Sequence, residues 1–259
     1  MSDAVTRDDE DKRPSNLTAQ VYNALCRAIL RGDYPIGQSL PSEGELAARF
    51  EVSKPVIRAV LQQLSALGVI EIRQGKPSIV RRVSPRPLEY FFSFAMMETE
   101  NGLMEAVQLR RGLETYIAQR AAEHIKVSDL KKLQETIKAM EAARGDPEAF
   151  IEADLSFHMT LAEASDNRLL MFLVHALRGT IHETVRMLHV RGMLPDRSAT
   201  IARHVAIVDA IASCDPEAAR LAMSAHFDAS EERTMSASSK GLAMLEPEAI
   251  IDFLERDET

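Results

Sequence analysis

Asp154 and His158 stand four residues apart, a spacing that puts a carboxylate and an imidazole on one face of a helix. Their neighbours Phe150, Ile151, Leu155, Phe157 and Leu161 are apolar. Two polar groups on such a helix are costly to bury unless something satisfies them. His204 heads a second apolar helix with Val205, Val208 and Ile211, and His226 lies near Met223 and Phe227. One carboxylate oxygen and three imidazoles from three helices suit a divalent metal, zinc first, with nickel, cobalt or manganese also accepted. A hydrogen-bonded core network explains the same four residues equally well. Arg110 offers a planar fork of donors that matches a carboxylate. With Glu114 one turn on, it also reads as a plain helix pair worth about 0.3–0.5 kcal/mol. Asn167 reads as a helix cap. His175, His182 and His189 recur every seven residues along one helix face, as solvated or core histidines, or with one lining a cavity.

A second group is basic. Ser53, Lys54, Val56 and Arg58 fall in the first turns of a helix, with Lys54 and Arg58 on one face. Arg or Lys there donates to guanine O6 and N7, and Val56 meets a thymine methyl. Backbone N–H groups at the same helix start, and at the one capped by Ser42, suit phosphates. Gln74 and Lys76, between two β-branched runs, sit at the tip of a hairpin that reaches the minor groove or backbone.

The elements that position these residues are mostly helices. Val21, Leu25, Ala28 and Ile29 make one face of a first helix, which starts near a Thr18 cap and stops at Gly32. Ser42 and Glu45 form a capping box for a helix over 42–50. A third helix runs from 53 to 67, capped by Ser53, with Pro55 in its first turn and Ile57, Val60, Leu61, Leu64 and Leu67 buried. Runs 69–73 and 79–83 flank a turn over 74–78. Three helices and a hairpin predict a winged helix-turn-helix over 17–83, after a disordered tail at 1–16 and before a stiff linker at 84–87. From 88 to 239 the pattern predicts helices at 88–99, 102–125, 128–144, 147–164, 167–191, 197–213 and 216–238, an all-α antiparallel bundle. A tail over 240–259 holds a short amphipathic piece at 247–254.

Composition agrees. The 259 residues are 46% hydrophobic and 27% charged, which excludes a wholly disordered chain, a collagen or a disulfide scaffold. Residues 17–82 hold nine basic and five acidic side chains, a net of +4, against a whole-chain charge of −8. A basic unit followed by an acidic one implies different partners, a polyanion for the first. Cys26 and Cys214 are expected as buried hydrophobes in a reducing cytoplasm, and no apolar run spans a membrane.

Gly37, Leu40-Pro41-Ser42-Glu43, Leu46-Ala47, Val52 to Arg58 and Gly68-Val69-Ile70 together resemble the GntR family of bacterial transcription regulators. Lys54, Gly44 and Ala59 depart from that family's usual Arg, Arg and Glu in the reading head. Arg110-x-x-x-Glu114, Asp154-x-x-Phe157-His158, Ala164 to Asn167, and the run from His204 to His226 resemble the FCD ligand-sensing domain of one GntR subfamily. Gln108 stands where Glu is frequent. The resemblance implies metal ligands Asp154, His158, His204 and His226, and a carboxylate effector met by Arg110 and Asn167. It also implies a cytoplasmic homodimer on a pseudo-palindromic double-stranded operator, a regulator that is not an enzyme, and more often a repressor. The wing Gly75-Lys76-Pro77-Ser78 resembles that of the fatty-acid-responsive member, which leaves an acyl-CoA-responsive regulator without metal as one alternative. A metal-dependent hydrolase built on the bundle is another, and a purely structural bundle with a nucleic-acid anchor a third.

Overall fold

In the computed structural model, residues 14–179, 182, 186 and 197–239 are described. His189 and the piece at 247–254 lie outside them, and the single helix expected over 167–191 is instead interrupted at Leu177, the C-cap of a helix ending at Ala176. The chain divides into two compact units, Met1–Pro87 and Leu88–Thr259.

In the first unit, α1 spans Pro14–Arg31. It therefore takes three residues from the stretch expected as a disordered tail, and Thr18 lies inside the helix rather than at its cap. At its end, Gly32 takes a φ of +83°, and the Gly32 and Asp33 N–H groups donate to the Ile29 and Ala28 carbonyls. That left-handed position favours glycine, which carries no Cβ. Helix α2 spans Glu43–Phe50 and opens with the expected capping box, Glu45 N–H donating to Ser42 Oγ and Ser42 N–H to Glu45 Oε2 at 2.8 Å. Helix α3 spans Lys54–Ala66 and buries Ile57, Val60, Leu61 and Leu64. Ser53 holds the cap position without making the side-chain bond expected of it. Leu67, expected in the core, is an exposed C-cap residue, because the chain leaves the helix there for Gly68.

Strands β1 (Ile70–Arg73) and β2 (Lys76–Val80) pair antiparallel around Gln74-Gly75. The second strand begins three residues earlier than the β-branched pattern places it. Gly75, at a φ of +68°, lets the chain reverse in two residues. Ser78 is then buried within the strand, and a bridge from Ser39 to Ile79 adds a third short edge. Val21, Leu25, Leu40, Leu46, Ile57, Leu64, Ile70 and Val80 share one core that fixes α3 against α1, α2 and the wing.

Helix α4 spans Arg86–Met97, so it takes the last two residues of the expected linker and crosses from the first unit into the second after Pro87. Pro87 is tolerated there because the first helical turn needs no N–H donors. Then come α5 (Gly102–His124), α6 (Val127–Ala142) with a 3₁₀ turn at Ala143–Gly145, α7 (Pro147–Ala164), α8 (Arg168–Ala176), α9 (Arg197–Ala212) and α10 (Pro216–Ser239). Asp146 and Asn167 cap α7 and α8 through their side chains, and Asp215 accepts from the Ala218 N–H at the start of α10. Helix α10 packs along α5 and α9, and α6 along α7. Ile117, Leu133, Met140, Phe157, Ile207, Met223 and Phe227 build the common core. Both cysteines are free, but Cys214 is exposed at a positive φ, so it is not the buried hydrophobe expected. No helix among the described residues is long and apolar enough to cross a membrane.

Candidate functional site

Capping of α2 and the tight Glu51–Val52 turn bring the start of α3 to the surface of the first unit. Ser53, Lys54 and Arg58 are exposed there, as are Gln74 and Lys76 on the wing, while Val56 is half-buried. A groove of about 460 Å³ runs between α2, α3 and the wing, and Ser42, Arg58 and Lys76 line it together with Glu43, Gln62 and Arg73. Ser53, Lys54, Val56 and Gln74 lie outside that lining. Ser42 has its hydroxyl and N–H committed to Glu45. Arg58 is held by Glu43, Nε to Oε2 at 3.0 Å. Arg73, which sequence reasoning missed, is tied to the wing through the Pro77 carbonyl at 2.8 Å. Its signal was present in the sequence as a cation two residues before the wing glycine.

In the second unit the four residues separated by up to 72 positions converge. Asp154 and His158 come from α7, His204 from α9 and His226 from α10. Their exposures are 8%, 1%, 0% and 5%. One nitrogen from each imidazole lies within 4.8 Å of the others. Asp154 Oδ1 is 3.2 Å from His204 Nε2, and Oδ2 is 3.8 Å from His158 Nε2. The other faces of two rings are anchored: His204 Nδ1 donates to the Thr200 carbonyl at 2.9 Å, and His158 Nδ1 bonds Glu114 Oε2. His158 Nε2, His204 Nε2 and His226 Nδ1 are buried and make no hydrogen bond among the described residues.

The electrostatics favour ligation. Burial pushes the Asp154 carboxyl up, but His204, His158 and His226 around it hold it well below the usual carboxylate range. Burial, then His204 and His158, push His226 well below an ordinary histidine, so it is a neutral donor at pH 7. A satisfied core network would leave no imidazole nitrogens unbonded. Three buried nitrogens without a well-formed hydrogen bond, beside an ionised carboxylate, are instead a set whose chemistry suits a divalent ion.

Arg110 is buried on α5, its Nε 2.8 Å from Glu114 Oε1 and its guanidinium carbon 5.2 Å from the Phe227 ring centre. Its Nη2 is buried without a hydrogen-bond partner among the described residues. The plain surface helix pair is thus replaced by a buried one. Burial pushes Glu114 up, and Arg110 followed by His158 outweighs it, keeping the carboxyl ionised. Glu114 was read from sequence only as the partner of Arg110. Its bond to His158, 44 residues away, had no local signal. Asn167 Oδ1 accepts from the Leu169 and Leu170 N–H groups at 3.1 and 3.2 Å, the capping role. His182 is buried beside Glu152 of α7 at 3.4 Å. His175 is half-buried, with Nε2 unbonded among the described residues.

Known proteins share both parts. The family "Bacterial regulatory proteins, gntR family" matches residues 17–80, and the FCD domain matches 105–229. The HTH-type transcriptional regulator LutR of Bacillus subtilis is 29% identical over 202 residues, covering 77% of this chain and 92% of its own. The HTH-type transcriptional repressor NanR of Escherichia coli K12 is 28% identical over 215 residues, covering 82% of each chain. A solved structure, Streptococcus agalactiae GntR, superposes with a TM-score of 0.65 at 28% identity, over 83% of this chain and 99% of that one.

Proposed function

From the premise that this chain belongs to the GntR family of transcriptional regulators and carries an FCD domain, we propose that it is a repressor released by a small carboxylate metabolite. The family is one of regulators, which sets the metallohydrolase alternative aside. The first unit binds double-stranded operator DNA, and on this reading Lys54, Val56 and Arg58 meet base edges. Ser42, Ser53, Gln74 and Lys76 meet the backbone, Ser42 and Ser53 through the N–H groups of the helices they precede. The protein works in the cytoplasm as a homodimer on a two-fold operator.

The observation that carries the effector half is the set of three buried, unbonded imidazole nitrogens around Asp154, with a fourth orphaned donor on Arg110. Asp154, His158, His204 and His226 would hold a divalent ion, zinc before nickel, cobalt or manganese, which supplies positive charge to anchor one carboxylate oxygen. Arg110 donates to the other oxygen through Nη2. An acyl-CoA thioester needs neither the four-residue set nor a buried guanidinium, so this cluster favours the carboxylate. The effector changes operator affinity only so far as it binds the two states of the dimer differently. The test is elemental analysis of the purified protein, followed by operator binding with hydroxy, keto and sugar acids, with and without chelator. Metal at about one per chain, and an acid that releases operator only when metal is present, is the expected result. A metal-free protein that still responds to the same acid rejects the reading.

A further inference from the structure

Glu114 is 1% exposed, and each of its oxygens is taken by a different residue of the site: Oε1 by Arg110 Nε at 2.8 Å and Oε2 by His158 Nδ1. We infer that Glu114 is the positioning residue that joins the metal centre to the carboxylate receptor, so that the two act as one unit. This rests on the reading just given and adds a residue and a coupling to it.

An ionised carboxylate only accepts hydrogen bonds, and a neutral imidazole has one N–H. Glu114 therefore fixes that hydrogen on His158 Nδ1 and leaves the lone pair on Nε2, the atom that faces Asp154 Oδ2 at 3.8 Å. A carboxylate behind a ligating histidine also raises its basicity and fixes its ring. The same carboxylate clamps Arg110 at Nε, while the Phe227 ring lies 5.2 Å from the guanidinium carbon. With Nε engaged, Nη2 is the buried donor left for a ligand. Helix α5 carries both Arg110 and Glu114, whereas α7 carries His158. A change at Glu114 thus disturbs a metal ligand on one helix and an anion donor on another. Neither effect requires Glu114 to touch metal or effector.

The experiment uses the full chain stripped of metal, cobalt(II) as a coloured probe ion and acetate as the smallest carboxylate probe. Glu114→Gln is expected to bind cobalt about 10–100-fold more weakly than wild type. Arg110→Met, which keeps all four proposed ligands and removes the other partner of Glu114, is the second single variant. At saturating cobalt, acetate changes the visible spectrum of wild type, and each single variant needs about tenfold more acetate or beyond. The Arg110→Met/Glu114→Gln double variant should need no more than the worse single one, because the two residues act together. In metal-free wild type, nitrogen NMR should place the His158 hydrogen on Nδ1, a readout that stands even if Glu114→Gln does not fold. Wild-type cobalt affinity in Glu114→Gln, additive acetate effects, or a hydrogen on Nε2 would each overturn the role of Glu114 alone. A wild-type protein that takes up no cobalt, or a cobalt protein blind to acetate, overturns the metal or the carboxylate half of the proposed function instead.

Discussion

Arg58 of α3 reaches back to Glu43 at the start of α2, its Nε 3.0 Å from Oε2, with both side chains open to solvent. The pair spans the two helices of the reading head and holds a guanidinium at the groove shared with Lys76. Exposed pairs of this kind contribute about 0–1 kcal/mol, so a base edge competes for Arg58 at little cost. Arg58→Ala should therefore lower affinity for the specific operator by about 1–3 kcal/mol and leave thermal stability nearly unchanged. Lys76→Ala should weaken all sequences alike and reduce the salt slope by about one. Titrations of operator and scrambled DNA at several salt concentrations separate the two effects. Equal operator affinity for Arg58→Ala and wild type would move the reading surface elsewhere.

His204→Ala should abolish stoichiometric metal uptake, because it removes a donor whose other nitrogen is already anchored on the Thr200 carbonyl. Ligation needs neutral imidazole, so bound metal should be lost as the solution is acidified. Equilibrium dialysis at pH 7.5 and 5.5, read by elemental analysis, checks both.

Arg110→Met keeps the stem of the side chain but leaves an effector carboxylate partly unpaired. The loss should be about 2–5 kcal/mol, roughly 30-fold or more in affinity for the effector. Lysine at 110 should rescue only in part, since an ammonium lacks the bidentate fork. Operator binding without effector should persist. Calorimetry with the best-binding acid, beside operator titrations of the same variants, gives both numbers.

Burial lowers the pKa of His175 below 6.5, with Glu163 opposing and Arg178 reinforcing the shift. The native protein then binds fewer protons at this site than the unfolded chain. Its stability is complete above about pH 6.5 and is lost as pH falls from there toward the folded pKa. With chelator present, the urea midpoint should drop between pH 7.5 and 5.5. The drop should be smaller in His175→Gln, which cannot take up the proton. An equal drop in the two proteins would show that His175 is not the group concerned.

The helix plan was legible because its punctuation is local. Asp146-Pro147, Asn167 and Asp215-Pro216 each announce a helix start within a few residues, and each aspartate or asparagine makes the capping bond its type allows. The wing was misplaced by three residues because the polar Lys76 and Ser78 read as turn, while a left-handed glycine lets the second strand begin at Lys76, opposite Arg73. Convergence of Asp154, His158, His204 and His226 was implied by the resemblance to the FCD domain, since helical faces alone left a core network equally open. The Glu114–His158 bond was not legible, because an acid one turn after an arginine looks like any exposed helix pair. Only packing of α5 against α7 shows that both of its oxygens are spoken for.

The joint between α4 and α5 is tighter than any side chain would permit. A Cβ placed on Gly102 would lie 2.1 Å from the Met96 carbonyl oxygen. The end of α4 and the first residue of α5 are thus butted backbone to backbone, with no cushion of side chains to absorb a slide. Helix α5 carries Arg110 and Glu114 two and three turns further on, and α4 is the segment that continues directly from the chain of the DNA-reading unit. Any side chain at position 102 would therefore have to push the end of α4 and the start of α5 apart.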